Sequence, residues 1–138
     1  MRRPVASVAR AALVAGTVSG LPSTAHALVR GRLALAATRA AGELLGRPSV
    51  LRGGLAHVAL TVWWTWVLQA ILPRRHEVAW GAAAGAGIAA LDLGPARRRW
   101  PAIAGLPTGP QVADHLAFGA LVGAVLAHDR RAGASGGS

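Results

Sequence analysis

The chain has no cysteine, which excludes disulfides, thiolate nucleophiles and thiolate metal sites. It has no lysine either, so its 15 basic residues are all arginine and carry the whole positive side of a net charge of +10. Aromatic residues are scarce at 4%, and charged residues reach only 14%, where a soluble domain usually carries about 25%. A water-driven core has little to build on. What is abundant is small: 18 glycines and many alanines, in a chain of 138 residues that is 53% hydrophobic. That composition suits helices packing closely in lipid. A nucleic-acid binder would share the charge, but its arginines would cluster on one polar face. Here they lie between apolar runs, where membrane-flanking charges belong. The expected partner is therefore the lipid bilayer of the plasma membrane, crossed several times, and not a nucleic acid.

Residues 53–73, GGLAHVALTVWWTWVLQAILP, run between Arg52 and Arg74 without a formal charge. At 1.5 Å per residue this helix is roughly 30 Å long, the thickness of a hydrocarbon core. Residues 11–29, 78–96 and 111–128 follow the same pattern. The expected fold is all-α: an integral membrane four-helix bundle, one domain over residues 1–131, with AGASGGS (132–138) as a flexible tail. Residues 32–46 are too short and too charged to span. They are expected to form an amphipathic helix in the interface plane. Gly94-Pro95 is expected to stop the third helix, and PAIAGLPTGPQ (101–111) reads as a loop.

The first span has a rival reading. MRRPVASVAR is basic, Ala11 to Leu21 is a short apolar run, and Ala25-His26-Ala27 fits a cleavage pattern, as in a signal peptide. The apolar character continues through Leu28 and Val29, which favours a retained span. Small residues recur every four positions at Gly16/Gly20, Gly81/Gly85/Ala89 and Gly119/Gly123. Such stripes let helices approach closely, within one chain or between copies in a homo-oligomer. Trp63, Trp64 and Trp66 sit mid-span, away from the interfacial belt aromatic residues favour. They read as knobs against glycine-rich neighbours.

Alternating spans gather the polar groups. His26 near the end of the first span, His57 one turn into the second, Asp92 near the end of the third, and Asp114 and His115 opening the fourth share one side of the membrane. All five lie within roughly two helical turns of that interface. In the other half only Gln69 and, at its edge, His128 are expected. Thr61, Thr65 and Gln69 follow His57 at four-residue intervals, a polar stripe that should face other helices or a cavity. The second and fourth spans also align at an offset of 58, with His57 over His115 and Leu68 over Leu126.

Each of these groups has an ordinary role open to it. Asp114 sits near a helix N-terminus, where the dipole favours an anion. Asp92 sits near a C-terminus and needs a partner, such as His57, His115 or an arginine of 97–99 reaching back. The leading reading is a non-enzymatic membrane protein whose polar cluster supports packing or a partner contact. The alternative is a small proton- or cation-coupled transporter or channel using the same residues. A third is a metal-dependent hydrolase, with His57, Asp92 and His115 as candidate ligands, although no tight motif such as H-E-x-x-H is present. Two histidines on facing helices can also ligate haem, but no attachment or pocket signature accompanies them. No cofactor is expected.

SGLPSTAHAL, ATRAAGEL, IAALDLG and RRRWPAIAGLPTGPQVADHLAFGALVG resemble a set of uncharacterised small multi-pass membrane proteins of actinobacteria. The resemblance covers most of residues 16–123 and implies no activity. It does imply that the first span stays attached, since its end carries part of the pattern. Arginines divide almost evenly between the two sides. Arg2, Arg3, Arg10, Arg74, Arg75, Arg130 and Arg131 face Arg30, Arg32, Arg39, Arg47, Arg52 and Arg97 to Arg99. Seven against eight is too small a bias to fix the orientation and leaves dual insertion open; the lean is to the second group, and with it the polar cluster, on the cytoplasmic side.

Overall fold

The computed structural model describes the backbone of residues 2–135 and the side chains of residues 5–134. The side chains of Arg2 and Arg3, counted in the charge balance, and residues 136–138 of the tail lie outside that range. The described chain is all-helical, with no strand. Its helices are α1 (Arg2–Val18), α2 (Leu21–Val29), α3 (Ala36–Ala41), α4 (Val50–Ile71), α5 (Glu77–Arg99), α6 (Pro101–Ala104) and α7 (Thr108–Ser135), with a 3-10 turn at Gly42–Leu45.

Among the described residues three stretches are long and apolar enough to cross a membrane: Val5–Val29, Val50–Ile71 and Thr108–Ala134. The α5 helix has the length but is not one of them. Its glycines and alanines contribute little hydropathy and Asp92 subtracts from it. What α5 has instead is a close fit to α7. A β-carbon at Gly81 would collide with the backbone oxygen of Gly119, one at Gly85 with that of His115, and one at Gly123 with that of Glu77. The two helices therefore touch backbone to backbone. The stripes Gly81/Gly85 and Gly119/Gly123 thus pack against each other within the chain.

Residues from four helices meet in one apolar cluster: Ala11 and Ala15 of α1, Leu68 of α4, Ile88 of α5, and Phe118, Val122 and Leu126 of α7, with Leu72 just beyond α4. Gly16 faces Thr61 across the α1–α4 contact, whereas Gly20 meets nothing. Only Gly16 of that pair packs, because the helix breaks at Ser19-Gly20 and restarts as α2.

Several expectations need correction. The interfacial helix over 32–46 is reduced to α3 and the 3-10 turn. Gly31 and Gly46, both at positive φ, bound the segment, a conformation that favours glycine. The α5 helix runs through Gly94-Pro95 to Arg99. Proline has no N–H to offer the Leu91 carbonyl and is costly inside a helix, by about 3 kcal/mol. Leu93 and Ala96 on either side are buried, and Ala96 packs with Ala40 and Ile103, so tertiary contacts carry the helix past it. The 101–111 loop contains α6 and the first turn of α7, where Pro110 is tolerated because early N–H groups lack partners anyway. Finally, α7 continues through residues 132–135, which the sequence assigned to a flexible tail.

Trp63 and Trp66 are also differently placed. They face outward, 62% and 44% exposed, and only Trp64 packs against the core. The inner edge of α4 is Thr61, Thr65 and Leu68, and positions 63 and 66 fall off that edge.

Candidate functional site

The α4 stripe sets the inner wall. Thr61 and Thr65 are buried, and the Thr65 hydroxyl donates to the Thr61 carbonyl at 2.7 Å. Gln69 is half-buried; its Oε1, like Trp64 Nε1, is a buried polar atom without a hydrogen bond.

Four of the five ionisable residues singled out from the sequence come together. His57, Asp92, Asp114 and His115 all line one cavity of about 610 Å³. Its walls also carry Thr38, Trp64, Ile88 and Phe118. Leu21 and Leu91, each about 60% exposed, line it too, so the cavity opens at the surface. No arginine lines it.

The four residues make different bonds. The Ser23 backbone N–H donates to Asp114 Oδ1 at 2.9 Å, tying α2 to α7. His57 Nε2 lies 2.8 Å from the Gly16 carbonyl. A carbonyl only accepts, so this nitrogen carries the hydrogen, and the bond ties α4 to α1. Asp114 and His57 thus hold the first two helices in place.

Asp92 and His115 are arranged otherwise. His115 Nδ1 lies 2.8 Å from the Gln111 carbonyl and must donate to it. Its Nε2 stands 3.5 Å from Asp92 Oδ2. With Nδ1 committed, a neutral ring would present a lone pair to the carboxylate. A favourable contact needs one more proton, either on Nε2 or on the carboxyl group. Both residues of the pair face the cavity.

His26 does not join the cavity lining. Ser23 reaches Asp114 and Ala27 is buried, which makes them the inner edge of α2, and His26 is turned about 100° from Ala27. Nor do the candidate metal ligands converge. Among the described residues no three His, Asp or Glu side chains are placed to hold a metal ion. His57 bonds to Gly16 while Asp92 and His115 face each other.

A small cap closes one end of the cavity. Ile103 of α6, Trp100 and Leu106 on either side of that helix, and Leu44 of the 3-10 turn line it. Glu43 Oε2 accepts the Ala102 N–H at 2.8 Å. Arg97 reaches back with both terminal nitrogens, donating to Ala104 O at 2.7 Å and Leu106 O at 2.8 Å. Sequence reading took Arg97 as a membrane anchor and Glu43 as part of an interfacial helix. Their roles depend on α6, whose sequence was read as loop.

At the opposite end, Glu77 and Asp129 lie just outside the spans read from the sequence, 78–96 and 111–128. Asp129, with its side chain 10% exposed, accepts from Ser7 Oγ and Arg10 Nη1, each at 2.7 Å. Glu77 is buried beside Arg130 at 3.5 Å. The excess of arginine over acid was the available signal: each of the few acids had several cations to meet. The pairing itself needed the extra turns of α7. The chain matches no protein-family profile, no curated protein and no solved structure.

Proposed function

We propose that the chain is a small multi-pass membrane protein in which α1–α2, α4, α5 and α7 make four crossings around a solute-binding cavity. The Asp92–His115 pair exchanges a proton there. The observation that carries this reading is the cavity: about 610 Å³, mostly apolar in its lining, with four ionisable side chains on its walls. Its size and makeup are those of a small-molecule site. A packing network alone has no use for that volume. Two carboxylates without a lining arginine favour a solute with an apolar body and a cationic or hydrogen-bond-donating end. Ionisable groups placed inside membrane helices are costly, and those facing a cavity mark solute or proton routes.

Membrane insertion is supported by the three long apolar helices. It is also supported by the outward-facing Leu13, Leu55, Val58 and Trp63, which water would not favour. The α5 helix, less apolar, packs along α7 through their facing glycines and completes the bundle.

The test is proton flux. Protein reconstituted into liposomes containing a trapped pH-sensitive dye should carry protons down an imposed gradient, and Asp92→Asn should abolish that flux while eluting as a folded species in detergent. Absence of flux in the wild type, or an unchanged flux in Asp92→Asn, would overturn the assignment. A second reading, that the cluster only fixes packing, is favoured by the Ser23–Asp114 and His57–Gly16 bonds between helices. Under it His57→Ala and Asp114→Ala lower the melting temperature and no flux is found in the wild type.

A further inference from the structure

At the end of the molecule away from the cavity, a second concavity of about 690 Å³ is lined by Arg74, Arg75, His76 and Glu77 from the α4–α5 turn and by Arg130 and Arg131 from α7. Four arginines face one acid. Glu77, the acid, is buried and stands 3.5 Å from Arg130, so Arg130 takes up the one acid of the lining, and Arg74 and Arg75 keep its edge positive. Arg74 and Arg75 are exposed at its edge. The turn that presents them is held by His76 in the left-handed region, at φ 56°. Such a conformation is uncommon for a residue with a side chain. Within the wall, Arg130 Nη2 is paired with Glu77 Oε1 at 3.5 Å, and its Nε is buried without a hydrogen bond.

We propose that this concavity binds a phosphate group, and that its source is the headgroup of an anionic phospholipid. Guanidinium groups match phosphate oxygens in pairs, and a basic pocket between helix ends is the arrangement that holds lipid headgroups. The lipid source is favoured by what borders the site. Ile71, Val78 and Trp80 are about half to two-thirds exposed, within a turn of Arg74 or Glu77. A headgroup in the concavity would leave its acyl chains against this apolar surface. A soluble phosphate would gain nothing from it. The lipid source rests on membrane insertion; the phosphate chemistry does not depend on transport through the cavity.

The test uses the full chain purified in a neutral detergent and titrated with short-chain phosphatidylglycerol, short-chain phosphatidylcholine and sodium phosphate. Phosphatidylglycerol should bind saturably and in preference to phosphatidylcholine. The R74Q/R75Q variant should bind it roughly 10- to 30-fold more weakly, as expected for two surface cations. Both side chains are exposed, and an unchanged melting temperature in detergent verifies that the variant is folded. The R30Q/R32Q variant removes two exposed arginines elsewhere and should leave the affinity unaltered. Equal loss in R30Q/R32Q would reduce the effect to general charge and overturn the site. So would undiminished binding by R74Q/R75Q, or equal binding of phosphatidylcholine. Sodium phosphate binding as tightly as phosphatidylglycerol, and lost in R74Q/R75Q, would overturn the lipid source and leave a soluble phosphate as the ligand. Lack of proton flux in the liposome assay has no bearing on any of these results.

Discussion

His115 Nε2 faces Asp92 Oδ2 at 3.5 Å while the other nitrogen of the same ring is committed to the Gln111 carbonyl. The pair needs one shared proton to be favourable, and it lies on the cavity wall. In Asp92→Asn the amide can donate to Nε2 without that proton. Stability should then be nearly unchanged, while proton flux falls by roughly 10²-fold, the scale at which a positioned proton carrier contributes. Nitrogen-15 spectra of labelled histidine should show the His115 ring going from shared-proton to neutral. A ring signal identical in wild type and variant would contradict the arrangement.

Asp114 should behave differently from Asp92. Its Oδ1 accepts the Ser23 N–H, so Asp114→Ala leaves a partly buried donor unpaired and releases α2 from α7. The expected cost is about 1–3 kcal/mol. In Asp114→Asn the amide oxygen still accepts, and most of the stability should return. Thermal unfolding of the two variants in detergent decides this; equal melting temperatures for both would mean that the bond contributes nothing.

The α5–α7 contact depends on missing side chains. Gly81→Ala and Gly119→Ala each place a carbon where the facing helix has its backbone oxygen. Neither backbone can yield without separating the helices, so each substitution should cost roughly 1–3 kcal/mol. Gly20→Ala has open space around it and should be close to neutral. A denaturation series in which all three shift alike would argue against backbone contact between α5 and α7.

Asp129 anchors the far end of α7 through Ser7 and Arg10. Arg10 is 58% exposed, so solvent screens its share, and the Ser7 bond should carry much of the effect. Asp129→Ala is expected to cost about 1 kcal/mol and to fray the last turns of α7. Hydrogen exchange over residues 125–135 reads this directly: exchange should accelerate there and stay unchanged in α4.

Helical class, the length of the apolar runs and the small-residue stripes were legible in the chain, because each is a local pattern of period 3.6 or of length. The gathering of His57, Asp92, Asp114 and His115 followed from the alternating direction of consecutive helices, which needs no coordinates. The stripe of Thr61, Thr65 and Gln69 faced inward for the same periodic reason. Element ends were misjudged at Pro95 and at residues 132–135. At Pro95 a local breaker is overridden by contacts of Ala96 with Ala40 and Ile103; residues 132–134 are exposed, and there the helix continues on backbone bonding alone.

Sequence by itself determined that this is a helical, arginine-flanked, apolar chain with His57, Asp92, Asp114 and His115 near one level. Only the tertiary structure decided which of them face each other, that His26 turns away, that Asp129 and Glu77 are buried, and that an open volume separates the helices. Periodicity specifies the face a residue occupies. It does not specify the rotation and distance of the neighbouring helix, and those set whether two polar groups meet, bond or leave a cavity between them.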